Sequence, residues 1–268
     1  MTATPLGAAR ALLEAARLRR WRRRLDPIPR PRHVGIIMDG NRRWARTMGL
    51  ADPSLGHRAG AEHIEDVLRW AEHWDVHHVT LFVLSADNIR KRSSVEVGYL
   101  FELRELVPEA IMRSHQWALH VSGDPRMLPG PTLAALTEAT RRTAARPRHV
   151  TMAIGYDAHH DIITGMRAAL RELVDSGRDP HLIEIDDITH ALPGGPSKEI
   201  DLVIRTGGDT RISGFFPWQA SHAEIFFTSQ GWPAFTELDF ARALAHYARN
   251  RLAGLGSLPG RRQASDAR

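Results

Sequence analysis

The feature of this sequence that most constrains its fold is a regular alternation of short apolar runs with longer helical patterns. Six apolar runs occur in chain order: "HVGIIMD", "HHVTLFVLS", "ALHVSG", "HVTMAIGY", "IDLVIRT" and "AEIFFT". Their length and β-branched residues are typical of strands. Helical periodicity predicts helices over about Ser54–Trp74, Val95–Gln116, Pro131–Ala145, Asp161–Ser176, Asp186–Leu192 and Thr236–Arg251. The alternation predicts an α/β fold with a central, mainly parallel six-stranded sheet flanked by helices.

The length predicts one domain. A chain of 268 residues that is 43% hydrophobic can bury a full core. We place this domain at residues 32–253. Residues 1–31 are predicted to form a basic amphipathic helix followed by a proline-rich linker, and residues 254–268 a disordered tail.

The charge and the cysteine content limit the class of protein. The net charge of +5 favours an anionic partner, which could be nucleic acid, lipid headgroups or a phosphorylated small molecule. No RNA-binding signature or zinc-finger spacing is present, so we expect no nucleic-acid partner. The chain has no cysteine, which excludes a disulfide-stapled class. It also has no signal-peptide pattern or membrane-spanning run, and we expect a cytoplasmic protein.

The basic segment "RLRRWRRR" follows the Ala/Leu-rich segment "GAARALLEAA". This combination predicts an amphipathic helix that suits an anionic membrane surface, so we expect peripheral membrane contact. Two alternatives stay open: a solvated helix docked on the back of the domain, and a disordered arm.

The candidate site lies where the predicted strands end. In open parallel sheets, ligands bind outside the carboxyl ends of the strands, so the polar residues that follow the apolar runs should meet there. These residues are Asp39, Gly40, Asn41, Arg42, Arg43, Ser85, Asp87, Asn88, Arg205, Arg211 and Ser213, with Glu224 just beyond them.

This combination of residues predicts a diphosphate site. Guanidinium groups and the free N–H groups of a helix start bind oxyanions, and carboxylates can share a divalent cation with them. The alternative for Asp39 is a helix N-cap. The second cluster, "RTGGDTRIS", favours the functional interpretation. The fifteen histidines also invite a metal site, but adjacent histidines such as His77 and His78 seldom hold one ion.

Several blocks together resemble a known family. "HVGIIMDGNRRWAR", "GHRAGAEHI", "LFVLSADN", "DLVIRTGGDTRISGFFPWQASHAEIFFT" and "WPAFTELDF" resemble the cis-prenyltransferases, the undecaprenyl diphosphate synthase family. The arginine in "DGNRRW" and the "SGF" of the later motif resemble its short-chain Z,E-farnesyl diphosphate synthase branch. The resemblance implies a homodimer of single α/β domains. It also implies Mg²⁺-dependent condensation of an allylic prenyl diphosphate with isopentenyl diphosphate to give a short Z-prenyl diphosphate.

The resemblance also implies roles for individual residues. Asp39 matches the acid that binds magnesium and assists the leaving group, and Glu224 matches a second magnesium-linked acid. Asn88 and Ser85 match catalytic polar groups near the reacting carbon. The matched substrate-binding positions are Gly40, Asn41, Arg42 and Arg43 around the allylic diphosphate, Arg205, Arg211 and Ser213 around the isopentenyl diphosphate, and Trp44 and His57, which line or support the pocket.

The sequence also departs from the family pattern. "GYDAHHDI" replaces a Tyr-Gly-Gly-Arg turn, "GFFPWQ" carries Pro217, and the arginine after "SADN" aligns with Lys91 or Arg92. The altered turn and Pro217 leave open irregular head-to-middle coupling of the lavandulyl type. A longer-chain product and a non-catalytic partner subunit are further alternatives.

Overall fold

The computed structural model describes residues 13, 15–23, 29–52, 54–91, 98, 101 and 107–256, without the side chains of 254–256. One six-stranded sheet forms its centre, in the order β3-β4-β2-β1-β5-β6. All five strand pairs are parallel. The predicted α/β fold is therefore confirmed. The strands are β1 His33–Ile37, β2 His78–Ser85, β3 Trp117–Ser122, β4 Arg148–Tyr156, β5 Leu202–Arg205 and β6 Glu224–Phe227.

Helices cover the sheet. Residues 15–23 are helical (α1), as are residues 107–113 (α5). The remaining helices are α2 Asn41–Thr47, α3 Ser54–His73, α4 Ala86–Lys91, α6 Gly130–Thr143, α7 Ala158–Asp175, α8 Ile185–Ala191 and α9 Glu237–Gly256.

Three helices differ from the sequence-based prediction or cannot be fully compared with it. Helix α4 was not predicted, because six residues make fewer than two turns and show no readable periodicity. Much of the predicted helix Val95–Gln116 lies outside the described residues. Helix α9 continues to Gly256, three residues into the segment assigned to the tail, and residues 257–268 lie outside the description.

The core lies on both faces of the sheet. The larger cluster includes Trp74, Trp117 and Phe240, and a smaller cluster on the other side includes Val203 and Phe215. All five residues of β1 are buried. Parallel strands covered on both faces read as continuous apolar runs, which explains why the strands were visible in the sequence.

Helix α1 docks on the domain. Leu18 and Trp21 pack against the larger core cluster. The Arg22 guanidinium lies 3.6 Å from the Glu237 carboxylate and 5.5 Å from the centre of the Trp74 ring. Of the three possibilities raised by the sequence, the disordered arm is therefore wrong for residues 15–23.

Four histidines form a row across neighbouring strands of the sheet. His33 pairs in register with His78, and His78 with His149, while His120 lies on the next strand. The His33 and His78 rings stack with centres 3.8 Å apart. The His120 and His149 rings share a 3.0 Å hydrogen bond. Among the described residues, no group of three or more histidines and acids is arranged to hold a metal ion.

Burial keeps this row neutral. Burial lowers the pKa of His33 to about 3 and that of His120 to about 4. Burial also lowers the pKa of His78 well below its ordinary value, helped by the neighbouring histidines. The row is therefore a packed layer of neutral rings, held by hydrogen bonds such as that between His33 Nε2 and Thr80 Oγ1 at 2.8 Å.

We expect acid to unfold the protein through this row. Each pKa is lower in the folded state, so the unfolded chain binds more protons below about pH 6.5. The free energy of unfolding therefore decreases as the pH is lowered. Each such histidine contributes a slope of about 1.4 kcal/mol per pH unit below that value. Urea unfolding at about pH 7 and about pH 5 measures it. H33Q should flatten the slope, and an unchanged slope would contradict the role of this residue.

Candidate active site

One large cavity opens at the carboxyl edge of the sheet, with a volume of about 1050 Å³. It brings together residues from several separate segments of the sequence, among them the ends of β1, β2 and β5, the first half of α3 and the turn after β4. Of the predicted site residues, those that line it are Asp39, Gly40, Asn41, Arg42, Arg43, His57, Ser85, Asn88, Arg205, Arg211 and Ser213. The expectation that strand ends collect the polar groups therefore describes most of the cavity wall.

Close backbone contact joins the loops after β1 and β5. Gly40 and Gly207 have φ values of +95° and +85°, which residues other than glycine rarely adopt. A Cβ on Gly40 would lie 2.8 Å from the Gly231 Cα, and one on Gly207 would lie 2.9 Å from the Asp39 carbonyl carbon. Only glycine fits at these two positions, so the two predicted motifs meet through bare backbone.

Asp39 is not a helix cap. The N-cap of α2 is Gly40, which makes no side-chain capping bond. The backbone carbonyl of Asp39 accepts hydrogen bonds from Trp232 N (2.9 Å) and Thr206 Oγ1 (2.7 Å). These bonds fix its backbone, while its side chain is 46% exposed toward the cavity. The N-cap alternative is therefore wrong, and the carboxylate is available for chemistry.

Arg205 is the central ionic contact of the site. Its side chain is only 3% exposed. One Nη donates to Asp39 Oδ2 at 2.6 Å and to Asp209 Oδ2 at 3.0 Å. The other donates to Ser213 Oγ at 2.8 Å and to the Arg211 carbonyl. Both Nη groups thus donate to the protein and hold the two motifs in place, whereas the buried Nε has no hydrogen-bond partner among the described residues.

Arg211 and Arg43 are the more exposed cations. Arg211 keeps 69% of its side chain exposed, and its Nη2 donates to Asp209 Oδ2 at 2.8 Å. Arg43 donates to the Gly207 carbonyl. Asp209 was not among the predicted site residues, although it stands between the two arginines of "RTGGDTRIS". Its carboxylate accepts hydrogen bonds from both Arg205 and Arg211 and so links the buried arginine to the exposed one.

The end of β2 supplies a second polar group. The Asn88 N–H donates to Ser85 Oγ at 3.1 Å, so the serine caps the start of α4. Lys91 also lines the cavity and lies 2.7 Å from the Asp87 carboxylate. Lys91 is therefore placed to fill the uncertain family position, and its alternative, Arg92, lies outside the described residues.

The altered turn after β4 is rebuilt with a side chain. Asp157 is the N-cap of α7, with φ −138°, and its carboxylate accepts a 3.0 Å hydrogen bond from His160 N. An extended N-cap of this kind needs no glycine. Asp157, Ala158 and the exposed His159 all line the cavity. The departure from the family turn is therefore a change in the cavity wall.

Two predicted site residues do not line the cavity. Glu224 begins β6 and pairs with Leu202, whereas Arg205 pairs with Phe227 at the other end of the same ladder. Its carboxylate accepts a 2.6 Å hydrogen bond from Asn250 Nδ2. Glu224 is the first residue of β6, whereas the cavity lies at the carboxyl ends of the strands. The prediction that Glu224 lies beside Asp39 is therefore wrong within one chain. Trp44 lies on α2 outside the cavity lining.

The cavity has an apolar side as well as a polar one. These residues share the apolar pattern of the core, so the sequence alone does not distinguish a cavity wall from core packing. Those that line the cavity include Met38, Ala61, Ile64, Phe82, Leu84 and Val107. The arrangement can therefore hold a molecule with a charged head and a hydrocarbon tail.

Of the two acids predicted to bind magnesium, only Asp39 lines the cavity, and its carboxylate can bind a divalent cation. Asp39 Oδ2 is bonded to Arg205, which leaves the other oxygen of this carboxylate for a ligand in the cavity. Mg²⁺ in phosphate sites commonly takes one or two carboxylates and completes its shell with water and substrate oxygens. Asp39 suits that chemistry, whereas Glu224 of the same chain does not.

The fold and the site together define a class of protein: a parallel α/β domain with a cationic oxyanion cradle next to an apolar pocket. Residues 37–253 match the family model described as "Putative undecaprenyl diphosphate synthase". The chain belongs to this family, and the resemblance found in the sequence is confirmed.

Relatives and solved structures agree with this assignment. The chain is 41% identical over 250 residues to an isoprenyl transferase of Streptomyces fradiae, covering 88% of this chain and 95% of the relative. It is 38% identical to the (2Z,6E)-farnesyl diphosphate synthase of Thermobifida fusca, covering 86% and 92%. The lavandulyl diphosphate synthase structure from Lavandula x intermedia superposes with a TM-score of 0.75 at 29% identity, covering 81% and 95%.

We expect Arg211 to bind oxyanions directly, because it is the exposed arginine of the Asp209 pair. R211Q should weaken binding of inorganic diphosphate roughly tenfold to a hundredfold, the usual contribution of a charged hydrogen bond. Isothermal titration calorimetry measures this affinity. R141Q is the matched control, since Arg141 is 72% exposed and pairs with Glu138 at 2.8 Å. Equal affinities for the two variants would remove Arg211 from the site.

Proposed function

We propose that this protein is a cis-prenyltransferase that condenses an allylic prenyl diphosphate with isopentenyl diphosphate to give a short-chain Z-prenyl diphosphate. The observation that carries the proposal is the single cavity that joins the arginine and glycine cradle to an apolar wall. A prenyl diphosphate has that combination of anionic head and hydrocarbon tail. The Z,E-farnesyl diphosphate synthases among its relatives support the short-chain assignment.

The reaction needs a stabilised leaving group. When the bond between the allylic carbon and the diphosphate oxygen breaks, negative charge develops on the diphosphate. Preorganised donors at that position stabilise the transition state. In our proposal Gly40, Asn41, Arg42 and Arg43 supply them at the start of α2. Asp39 is the acid beside them.

Isopentenyl diphosphate would bind at the second motif. Arg211 and Ser213 are exposed at the cavity and present a guanidinium and a hydroxyl to its diphosphate. Arg205 would act mainly by holding Ser213 and the Arg211 backbone in position. The terminal carbon of isopentenyl diphosphate attacks the allylic carbon, and a proton is lost from the carbon next to its diphosphate-bearing carbon. Asn88 and Ser85 would lie near that proton.

Magnesium is part of the proposal. The free oxygen of the Asp39 carboxylate would hold the ion together with substrate oxygens and water. When bound, Mg²⁺ neutralises charge on the departing diphosphate. His57 and Trp44 would bind or support the substrate, His57 from the cavity wall and Trp44 from behind the cradle.

A short product agrees with the size of the cavity. Pockets for drug-sized molecules measure about 300–1,000 Å³. The cavity of about 1050 Å³ is just above that range and has to hold both substrates. Ile64 and Leu84 are buried side chains of its apolar wall, so a longer chain would have to displace packed core residues.

An irregular head-to-middle coupling is the second candidate. The observation that favours it is the rebuilt turn at Asp157, which puts Ala158 and His159 in the wall instead of a Gly-Gly-Arg turn. The superposition with a lavandulyl diphosphate synthase also supports it. The intact arginine motif and the farnesyl-type relatives favour the regular reaction.

A longer-chain product is the remaining catalytic alternative. A non-catalytic subunit is disfavoured because the chain retains Asp39, Arg43, Arg205 and Arg211.

We further propose that the enzyme is a homodimer in the cytoplasm. Strand β6 is an edge strand, and all four of its residues are only partly buried, including Ile225, Phe226 and Phe227. An apolar edge of this kind needs to be covered, and a second copy of the chain would cover it.

No helix of the described chain is long and apolar enough to cross a membrane. Contact of the basic helix α1 with an anionic membrane surface is part of the same proposal, and no nucleic-acid partner is expected.

Loss of the Asp39 carboxylate should abolish most turnover. D39A removes the proposed magnesium ligand but keeps the backbone bonds to Trp232 and Thr206, and Arg205 keeps Asp209 and Ser213 as acceptors, so the fold should persist. We expect turnover to fall about a hundredfold or more. The control is E138A, because Glu138 is 48% exposed and paired with an arginine outside the cavity. Circular dichroism checks the fold, and turnover equal to that of E138A would exclude Asp39 from the mechanism.

The product is the decisive test of the proposed function. With Mg²⁺, isopentenyl diphosphate and a ten-carbon allylic primer, we expect one addition and a fifteen-carbon diphosphate with a new Z double bond. Mass spectrometry and NMR of the dephosphorylated product identify its length and geometry. A ladder of much longer chains would reject the short-chain assignment, and a branched or cyclic skeleton would establish the irregular reaction. A lack of product from every primer would favour the non-catalytic subunit.

A further inference from the structure

A second cleft lies between α1 and the start of α9, away from the proposed active site. Its volume is about 360 Å³, and it is lined by Arg17, Arg20, Trp21, Leu238 and Arg242. Three guanidinium groups therefore surround a floor made of an indole ring and a leucine. None of these five residues lines the large cavity.

The arginines of this cleft are only partly neutralised. Within the described part of the chain, neither Arg17 nor Arg20 forms an ion pair. Arg242 donates to Asp239 Oδ1 at 2.7 Å and keeps 54% of its side chain exposed. Arg22, by contrast, faces the domain and pairs with Glu237. The cleft thus concentrates more positive than negative charge on one exposed surface.

The packing of α1 determines how this surface can meet a partner. Because Leu18 and Trp21 already contact the core, the apolar face of the helix is not available for insertion into a bilayer. Arg17 and Arg20 lie one turn apart on an exposed stripe, which Leu13, 63% exposed, extends by one further turn. A docked helix with outward arginines suits the headgroup layer, where guanidinium groups meet phosphates.

We infer that the cleft formed by Arg17, Arg20 and Arg242 binds the headgroup phosphate of an anionic phospholipid and attaches the enzyme to the membrane surface. The inference rests on the membrane contact proposed above and assigns it to named groups. Arg242 is the informative residue, because it belongs to α9 and takes part only if α1 stays docked.

Vesicle sedimentation of the full-length protein tests the inference without any turnover measurement. The protein should bind phosphatidylcholine vesicles that contain phosphatidylglycerol and not vesicles of phosphatidylcholine alone. R17Q/R20Q should reduce partitioning about twenty-fivefold, since each arginine near an anionic surface contributes roughly fivefold. R242Q should reduce it about fivefold. Turnover of short primers without vesicles should be unchanged in both variants.

The matched control is R167Q/R171Q, which removes the same charge from exposed positions of α7. It should bind like the unmodified protein. The inference is overturned if this control loses as much binding as R17Q/R20Q, if R242Q has no effect, or if neutral vesicles bind equally well. It is also overturned if the protein binds inorganic phosphate but does not sediment with the anionic vesicles, because that result indicates a site for free anions. Normal prenyl transfer with any of these outcomes would leave the proposed function intact.

Discussion

The site depends on one buried cation. The Arg205 guanidinium lies under the cavity and bonds to Asp39 from the first motif and to Asp209 and Ser213 from the second. A buried charge is stable only where acceptors surround it, and the two motif loops supply these acceptors. Arg205 therefore holds together segments that lie 166 residues apart in the sequence. Arg211, by contrast, stays exposed at the cavity.

The glycines make this contact possible. Gly40 and Gly207 bring the two loops so close that a Cβ at either position would clash with backbone. The same approach directs the Asp39 carboxylate and the start of α2 toward one cavity. On the far side, Ile64, Leu84 and Val107 provide an apolar wall. Charged and hydrocarbon parts of one substrate thus find separate surfaces a short distance apart, which links the fold to the proposed prenyl transfer.

The sequence predicted the sheet well because its strands are covered on both faces and appear as apolar runs. It also predicted most polar residues of the cavity, since parallel strands end at one edge. The sequence did not place Glu224 correctly, because the apolar run does not show at which residue β6 begins. Glu224 is the first residue of that strand. Asp209 was given no role because its importance arises from two arginines folded around it. Helix α4 was too short to show a period.

The sequence by itself determined the fold class, the oxyanion-binding residue types and the family, because these follow from periodicity, composition and ordered motifs. Only the tertiary structure decided which arginine is buried and which is exposed, since burial depends on segments far apart in the chain. It also decided that Asp157 rebuilds the altered turn as a helix cap, that Asp39 caps no helix, and that α1 docks with Arg17 and Arg20 facing outward. Each of these depends on a specific contact or backbone angle, and residue order alone does not specify it.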